Sequence, residues 1–226
     1  MGKGAIRTQV TPQAPAFAGD SAREAAPSIG SGEMRTTRDD GLTIVTGVPR
    51  SGTSLVMQML AAGGLPVASD GVRRADEDNP RGYFELEAAR RLARDASWLT
   101  GISGCAVKLV HTLVPSLPPG RHYKVLMVRR RLDEVLASQR VMLTRQGRTP
   151  DEREDARLLP VLTEQLAQLE RWLTAREDLA WLGIDYAELV AEPAREAARM
   201  NAFLGGGLDA AAMAASVDPA LHRQRR

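Results

Sequence analysis

The stretch TIVTGVPRSGTSLVMQML, residues 43–60, passes from a β-branched apolar run through a Gly/Pro/Ser turn into a helical pattern. Its turn, Gly47-Val-Pro-Arg-Ser-Gly52, has the GxxxxG spacing of a phosphate-binding loop, but Thr53-Ser54 stands where Lys-Ser/Thr should follow. The backbone logic does not need that lysine. Glycines let successive N–H groups turn inward, and with the positive end of the next helix these donors form an anion cradle. Arg50 supplies a planar cation that can clamp two oxygens of a phosphate or sulfate, and Ser51, Thr53 and Ser54 add hydroxyl donors.

Around this unit the pattern alternates. A buried strand is expected at 42–47, a helix at 53–62, a short strand at 65–68, and a charged loop at 70–82. A helix follows over 86–99, then strands at 105–110 and 122–128, and helices at 132–146 and 152–176, the latter kinked or split at Pro160. A last strand at 180–186 precedes a helix at 193–204 that stops at Gly205-Gly-Gly. Strands separated by helices predict an α/β fold of the P-loop-like, three-layer kind: a central parallel sheet with helices on both faces. Residues 1–40, rich in Ala, Pro, Gly, Ser and charge, read as a flexible tail, leaving 41–226 as one domain.

Composition narrows the function classes. At 226 residues and 43% hydrophobic, the chain can bury a sizeable core, and 30 basic against 28 acidic residues give no basis for nucleic-acid binding. A single cysteine, Cys105, excludes an internal disulfide framework and a cysteine zinc site, which suits a reducing cytoplasm. No apolar run reaches the roughly 18 residues of a membrane span. The three histidines lack i, i+4 ligand spacing and no acidic partner for magnesium is evident, so no metal is expected. The long helices leave surface for a homodimer.

Pro49-Arg-Ser-Gly-Thr-Ser54 after an apolar strand resembles the 5′-phosphosulfate loop of the sulfotransferases, which take a sulfuryl group from 3′-phosphoadenosine 5′-phosphosulfate (PAPS). That family usually has Lys where Arg50 stands, and the resemblance implies that Arg50 contacts the sulfuryl group and the leaving oxygen. KVLMVRRRLDEVLAS, residues 124–138, resembles its second motif, an Arg after a strand and a Ser on the next helix that together hold the 3′-phosphate. The family's spacing of eight between Arg and Ser implies Arg130 with Ser138, not Arg129; Leu132 replaces the family's usual Pro, and Glu134 stands where its Asp is commoner. Apart from the resemblance, an Arg at a strand-to-helix junction and a Ser two turns on converge on one anion. EDNPRGYFE at 77–85 and GIDYAELVAEPAREAARMNAFLG at 183–205 extend the likeness over about 42–220.

The resemblance implies in-line transfer from PAPS to a hydroxyl or amine of an acceptor, with a general base and without a metal. Two bases are candidates: Glu85 of GYFE, ranked first, and His111 of VKLVH, one residue further from Lys108 than in the family's motif. Lys108 is the implied aid to the leaving phosphate. Acceptor contacts are expected in loops at 69–85, 98–104 and 144–160, with Asp70, Asp76, Asp78 and Arg81 as candidates, and the basic terminus His222, Arg223, Arg225 and Arg226 is a further candidate for the donor. A small molecule, carbohydrate, lipid or protein all remain open as acceptor. Two alternatives stand beside this reading: a P-loop kinase or NTPase, and a catalytically inactive protein that binds the bisphosphate product, PAP.

Overall fold

The computed structural model describes residues 41–71 and 82–218. The expected tail, the candidate residues Asp76, Asp78 and Arg81, and the basic terminus from His222 to Arg226 lie outside them.

Four parallel strands form one sheet in the order β2-β1-β3-β4, with β1 at Leu42–Gly47, β2 at Ala106–Val110, β3 at Tyr123–Arg129 and β4 at Leu179–Asp185. Every residue of β1 is buried, as a central parallel strand covered on both faces requires. Alternation along the strands divides two cores. Leu42, Ile44, Val107, Leu109, Val125 and Met127 face a core closed by Leu169 and Leu173 of α4 (Glu152–Ala175). Val45, Leu126, Val128 and Ile184 face the other, closed by α1 (Thr53–Ala62), α5 (Tyr186–Ala191), α6 (Pro193–Leu204) and α7 (Ala210–Ala215). The three-layer α/β architecture is thus present.

Several boundaries differ from expectation. Residues 65–68 make no strand, only a bridge from Val67 to Ala106. The helix expected over 86–99 is broken into α2 (Glu87–Arg90), a run of turns, and a 3-10 segment at Ser97–Gly101. The buried residues Leu86, Ala89 and Leu92 recur every third position, which suits i→i+3 bonding; Arg91 and Leu92 donate to Ala88 and Ala89. Asp95 then accepts from the Ser97 N–H and starts the next turn. By contrast α4 runs unbroken through Pro160. Both Pro160 and Ala156, whose carbonyl loses its donor, are exposed, so the break in the ladder faces solvent and not the core. Helices α5 and α7 were not expected; each has six residues, too few to display a period.

Cys105, just before β2, is 2% exposed, and desolvation pushes its thiol up to about 11. The folded protein is therefore expected to resist iodoacetamide at pH 8 and to label fully in denaturant; rapid labelling of the folded chain would contradict the packing around β2.

Candidate active site at the carboxyl ends of the strands

The register aligns Gly47 with Val110 and Arg129 with Asp185, so the loops that follow all four strands open on one edge. Chain order moves outward from β1 to β2 and then, on the opposite side, to β3 and β4. The reversal lies between β1 and β3, and the crevice outside that point is where open parallel sheets bind ligands. The two anion motifs are the segments leaving those two strands.

After β1 the chain turns sharply. Ser51 N–H bonds the Val48 carbonyl at 3.1 Å, Gly52 adopts φ +107°, and α1 begins at Thr53 with its first amides unclaimed by the helix. Arg50 itself sits at φ +73°, a conformation that a side-chain-bearing residue rarely adopts. Ser51 is fully buried, and its hydroxyl meets no hydrogen-bond partner among the described residues. Neither glycine can carry a side chain: a Cβ on Gly47 would meet the Val128 carbonyl at 2.7 Å, and one on Gly52 would meet the Tyr186 ring at 2.4 Å. A tight turn, inward amides and an unpartnered buried hydroxyl are features of an anion cradle.

After β3 the three arginines part. Arg129 bonds Glu170 at 3.0 Å and lies over Trp181, while Arg131 pairs with Asp133 at the surface. Arg130 turns into the cleft. Its Nε donates to Glu134 at 2.9 Å, its Nη1 donates to the Arg50 carbonyl at 3.3 Å, and its guanidinium lies 4.3 Å from the centroid of the Tyr186 ring. Both side chains of the Arg130–Glu134 pair are 7% exposed, Arg130 just before α3 (Leu132–Arg145) and Glu134 in its first turn. Further along α3, Ser138 accepts from Arg50 Nε at 3.0 Å. The motifs therefore interlock through main chain and side chain.

From β2, Lys108 reaches the same place. Its Nζ donates to the Tyr83 carbonyl and, at 3.4 Å, to Ser54 Oγ, and lies 3.7 Å from Glu85 Oε1. Glu85 also accepts from Arg90 at 2.6 Å, a contact that is first among the causes raising the Arg90 pKa above its usual value. Phe84, between Tyr83 and Glu85, is held at φ +51°. Apart from Arg50 it is the other non-glycine described at positive φ; Arg50 lines the cleft, and Phe84 stands between two residues that do.

The cleft holds about 580 Å³ and is lined by Pro49, Arg50, Gly52, Thr53, Ser54, Glu85, Lys108, Arg130 and Ser138 among others. His111 does not line it. That side chain is 5% exposed on the α4 side, and its Nε2 donates to Gln165 Oε1 at 2.8 Å. Asp70 accepts from the Glu87 N–H at 2.6 Å and caps α2. Glu134 and Tyr186, which brace Arg130, were not singled out as site residues. Their signals in the sequence were the acidic residue at i+4 from Arg130 and the aromatic directly after β4. Among the described residues no group of three or more His, Cys, Asp or Glu could hold a metal ion, and no helix is long and apolar enough to cross a membrane.

No protein-family model matches the chain, and no curated protein sequence does. Solved structures similar to it include a sulfotransferase from Alicyclobacillus acidocaldarius, at 17% identity and TM-score 0.45, covering 72% of this chain and 80% of that one. A sulfotransferase domain from the curacin biosynthetic pathway is similar at 15% identity and TM-score 0.47, covering 81% and 89%. A sugar kinase from a Janibacter species is similar at 17% identity and TM-score 0.39, covering 80% and 97%.

Proposed function

We propose that the chain is a sulfotransferase that moves a sulfuryl group from PAPS to an acceptor hydroxyl. The observation that carries this reading is the interlock of Arg50 with Ser138 and of Arg130 with the Arg50 carbonyl, which joins two anion motifs at one crevice. A lysine-free loop suits a donor whose terminal group carries less charge than a phosphoryl group, with Arg50 and Lys108 as the flanking cations.

In this reading the amides beyond Gly52 and the hydroxyls of Ser51, Thr53 and Ser54 hold the 5′-phosphosulfate, while Arg130 and Ser138 hold the 3′-phosphate. The buried Ser51 hydroxyl, which meets no partner among the described residues, fits that occupant. PAPS supplies the sulfuryl group. The acceptor oxygen forms a bond to sulfur as the bond from sulfur to the phosphate oxygen breaks, and the electron pair leaves with PAP. Glu85 takes the acceptor proton and returns it to solvent. Lys108 and Arg50 meet the charge that grows on the departing phosphate, where fixed cations in a narrow cleft act most strongly. Glu85 serves as base in preference to His111 because its carboxylate lines the cleft, 3.7 Å from Lys108, and the His111 ring does not.

Calorimetric titration with PAP, and separately with ATP and magnesium, tests the donor. PAP is expected to bind and ATP to bind weakly, and Arg130→Ala is expected to weaken PAP by about ten- to a hundredfold, the worth of a charged hydrogen bond. Removing one member of a buried pair costs about 3–5 kcal/mol of stability, so Arg130→Met with Glu134→Gln provides a second, neutral variant with the same expected loss. Preference for ATP with magnesium would move the chain to the kinase class, and PAP binding without transfer to any acceptor would leave a binding protein.

A further inference from the structure

Away from the cleft, β4 forms one edge of the sheet, and among the described residues no strand pairs with its outer side. The Asp178 carbonyl accepts from the Tyr123 N–H on the β3 side, whereas the Gly183 carbonyl accepts from Arg199. Main-chain groups of successive strand residues point to opposite sides, so Leu179, Trp181 and Gly183 all present N–H and C=O outward. Among the described residues only Arg199, on Gly183, meets these groups. Exposed edges are normally blunted by charge or proline, which stops a further strand from adding. Leu179-Ala-Trp-Leu-Gly-Ile184 carries neither. Beside this edge runs a groove lined by Trp181 and, from α4, by Ala167, Glu170, Arg171, Thr174 and Ala175. Positions 167, 170, 171 and 174 form one stripe along the helix, with opposite charges at its middle and small side chains at its ends.

We infer that the outer edge of β4 pairs with the same edge of a second copy of this chain, antiparallel about a two-fold axis at Trp181, so that one sheet runs through both copies. The inference stands apart from the sulfuryl-transfer reading. About that axis Trp181 lies opposite the partner's Trp181 and Leu179 opposite the partner's Gly183, so outward donors meet outward acceptors. A glycine opposite Leu179 leaves room on the α4 face for the two indoles to pack. On the other face the exposed Ala180 lies opposite the partner's Leu182, which is half-buried. The same axis sets the two α4 stripes antiparallel across a shared groove. Because Trp181 stands beside the middle of the stripe, Arg171 faces the partner's Glu170, and Ala167 faces the partner's Thr174. Within one chain Arg171 bonds Glu164 at 2.9 Å with both side chains well exposed, a pair that exchanges at little cost. An unrelated extended peptide would satisfy the edge's main chain alone; a second copy also supplies the opposing glycine and the opposite charges.

Sedimentation velocity of the full chain over a concentration series tests the pairing, and a monomer–dimer equilibrium at micromolar concentration is expected. Ala180→Lys sets a charge against the partner's Leu182, and Arg171→Glu sets like charges against the partner's Glu170. Both positions are exposed, so both variants are expected to melt as wild type does. Each is expected to weaken dimerisation about tenfold, because the two-fold axis applies every substitution twice. Hydrogen exchange locates the contact. The amides of Leu179, Trp181 and Gly183 are expected to slow as the dimer fills, while those of Ala180 and Leu182, which bond β3, stay unchanged. A chain that remains monomeric, a dimer of unchanged affinity in both variants, or exchange at the three outward amides that ignores concentration would overturn the proposal. Growth past the dimer into larger species would overturn the closed two-fold pairing as well.

Discussion

Glu85→Gln is expected to lower the rate of sulfuryl transfer to an acceptor hydroxyl by about 10²–10⁴-fold, the usual contribution of a positioned general base, with PAP affinity little changed. The substitution keeps the shape of the side chain and its ability to accept from Arg90, and removes the basic oxygen. A merely structural role for Glu85 makes a different prediction. If it served only to hold Arg90, at 2.6 Å, then Arg90→Ala would match the loss, and the acid limb of the pH–rate profile would survive in Glu85→Gln. If Glu85 takes the proton, Arg90→Ala changes the rate far less and that acid limb disappears. The reverse pattern, with His111→Asn abolishing transfer and Glu85→Gln sparing it, would return the base to His111. That outcome would require the ring to leave Gln165 and rotate out of the α4 side of the sheet.

How much of this site was legible beforehand follows from how local each signal is. The unit β1-loop-α1 has the bounds read from sequence, 42–47 and 53–62, because an apolar run, a glycine pair and a helical period all fall within twenty residues. The choice of Arg130 among three consecutive arginines came from the spacing of the motif the segment resembles, and the structure sends Arg129 and Arg131 elsewhere. Glu134 registered only as an odd residue in a motif, since nothing local says that residues at i and i+4 on a helix start will be buried together. Tyr186 needed the fold: its ring meets Gly52, 134 positions earlier, only because β4 lies two strands from β1. The broken region 86–101 misled for the opposite reason. Its composition suits a helix, and tertiary packing on a three-residue repeat overrides that preference.

A large stability effect is expected at Gly52. Two costs coincide in Gly52→Ala: φ of +107° disfavours any side chain, and the new methyl would sit 2.4 Å from Tyr186 Cδ2 and 2.7 Å from Cε2. Left-handed backbone costs about 1–2 kcal/mol for a side-chain-bearing residue, and forcing an extra carbon into a packed contact costs about 1–3 kcal/mol more. At about 2–4 °C per kcal/mol for a chain of this size, the melting temperature should fall by roughly 4–20 °C. Gly64→Ala isolates the first cost, because Gly64 also has positive φ, +89°, but no atom within 4 Å of the new carbon. It should melt only a few degrees low. The difference is the ring contact, and it carries a functional consequence, because the same ring lies under Arg130. If the methyl displaces Tyr186, Arg130 loses its support and PAP affinity falls together with stability. Adding Tyr186→Ala to Gly52→Ala removes the collision but not the strain, so the double variant should be less destabilised than the two single costs combined. Strict additivity, or equal melting of Gly52→Ala and Gly64→Ala, would show that the turn accommodates a side chain and that the close approach of loop and ring does not shape the cradle.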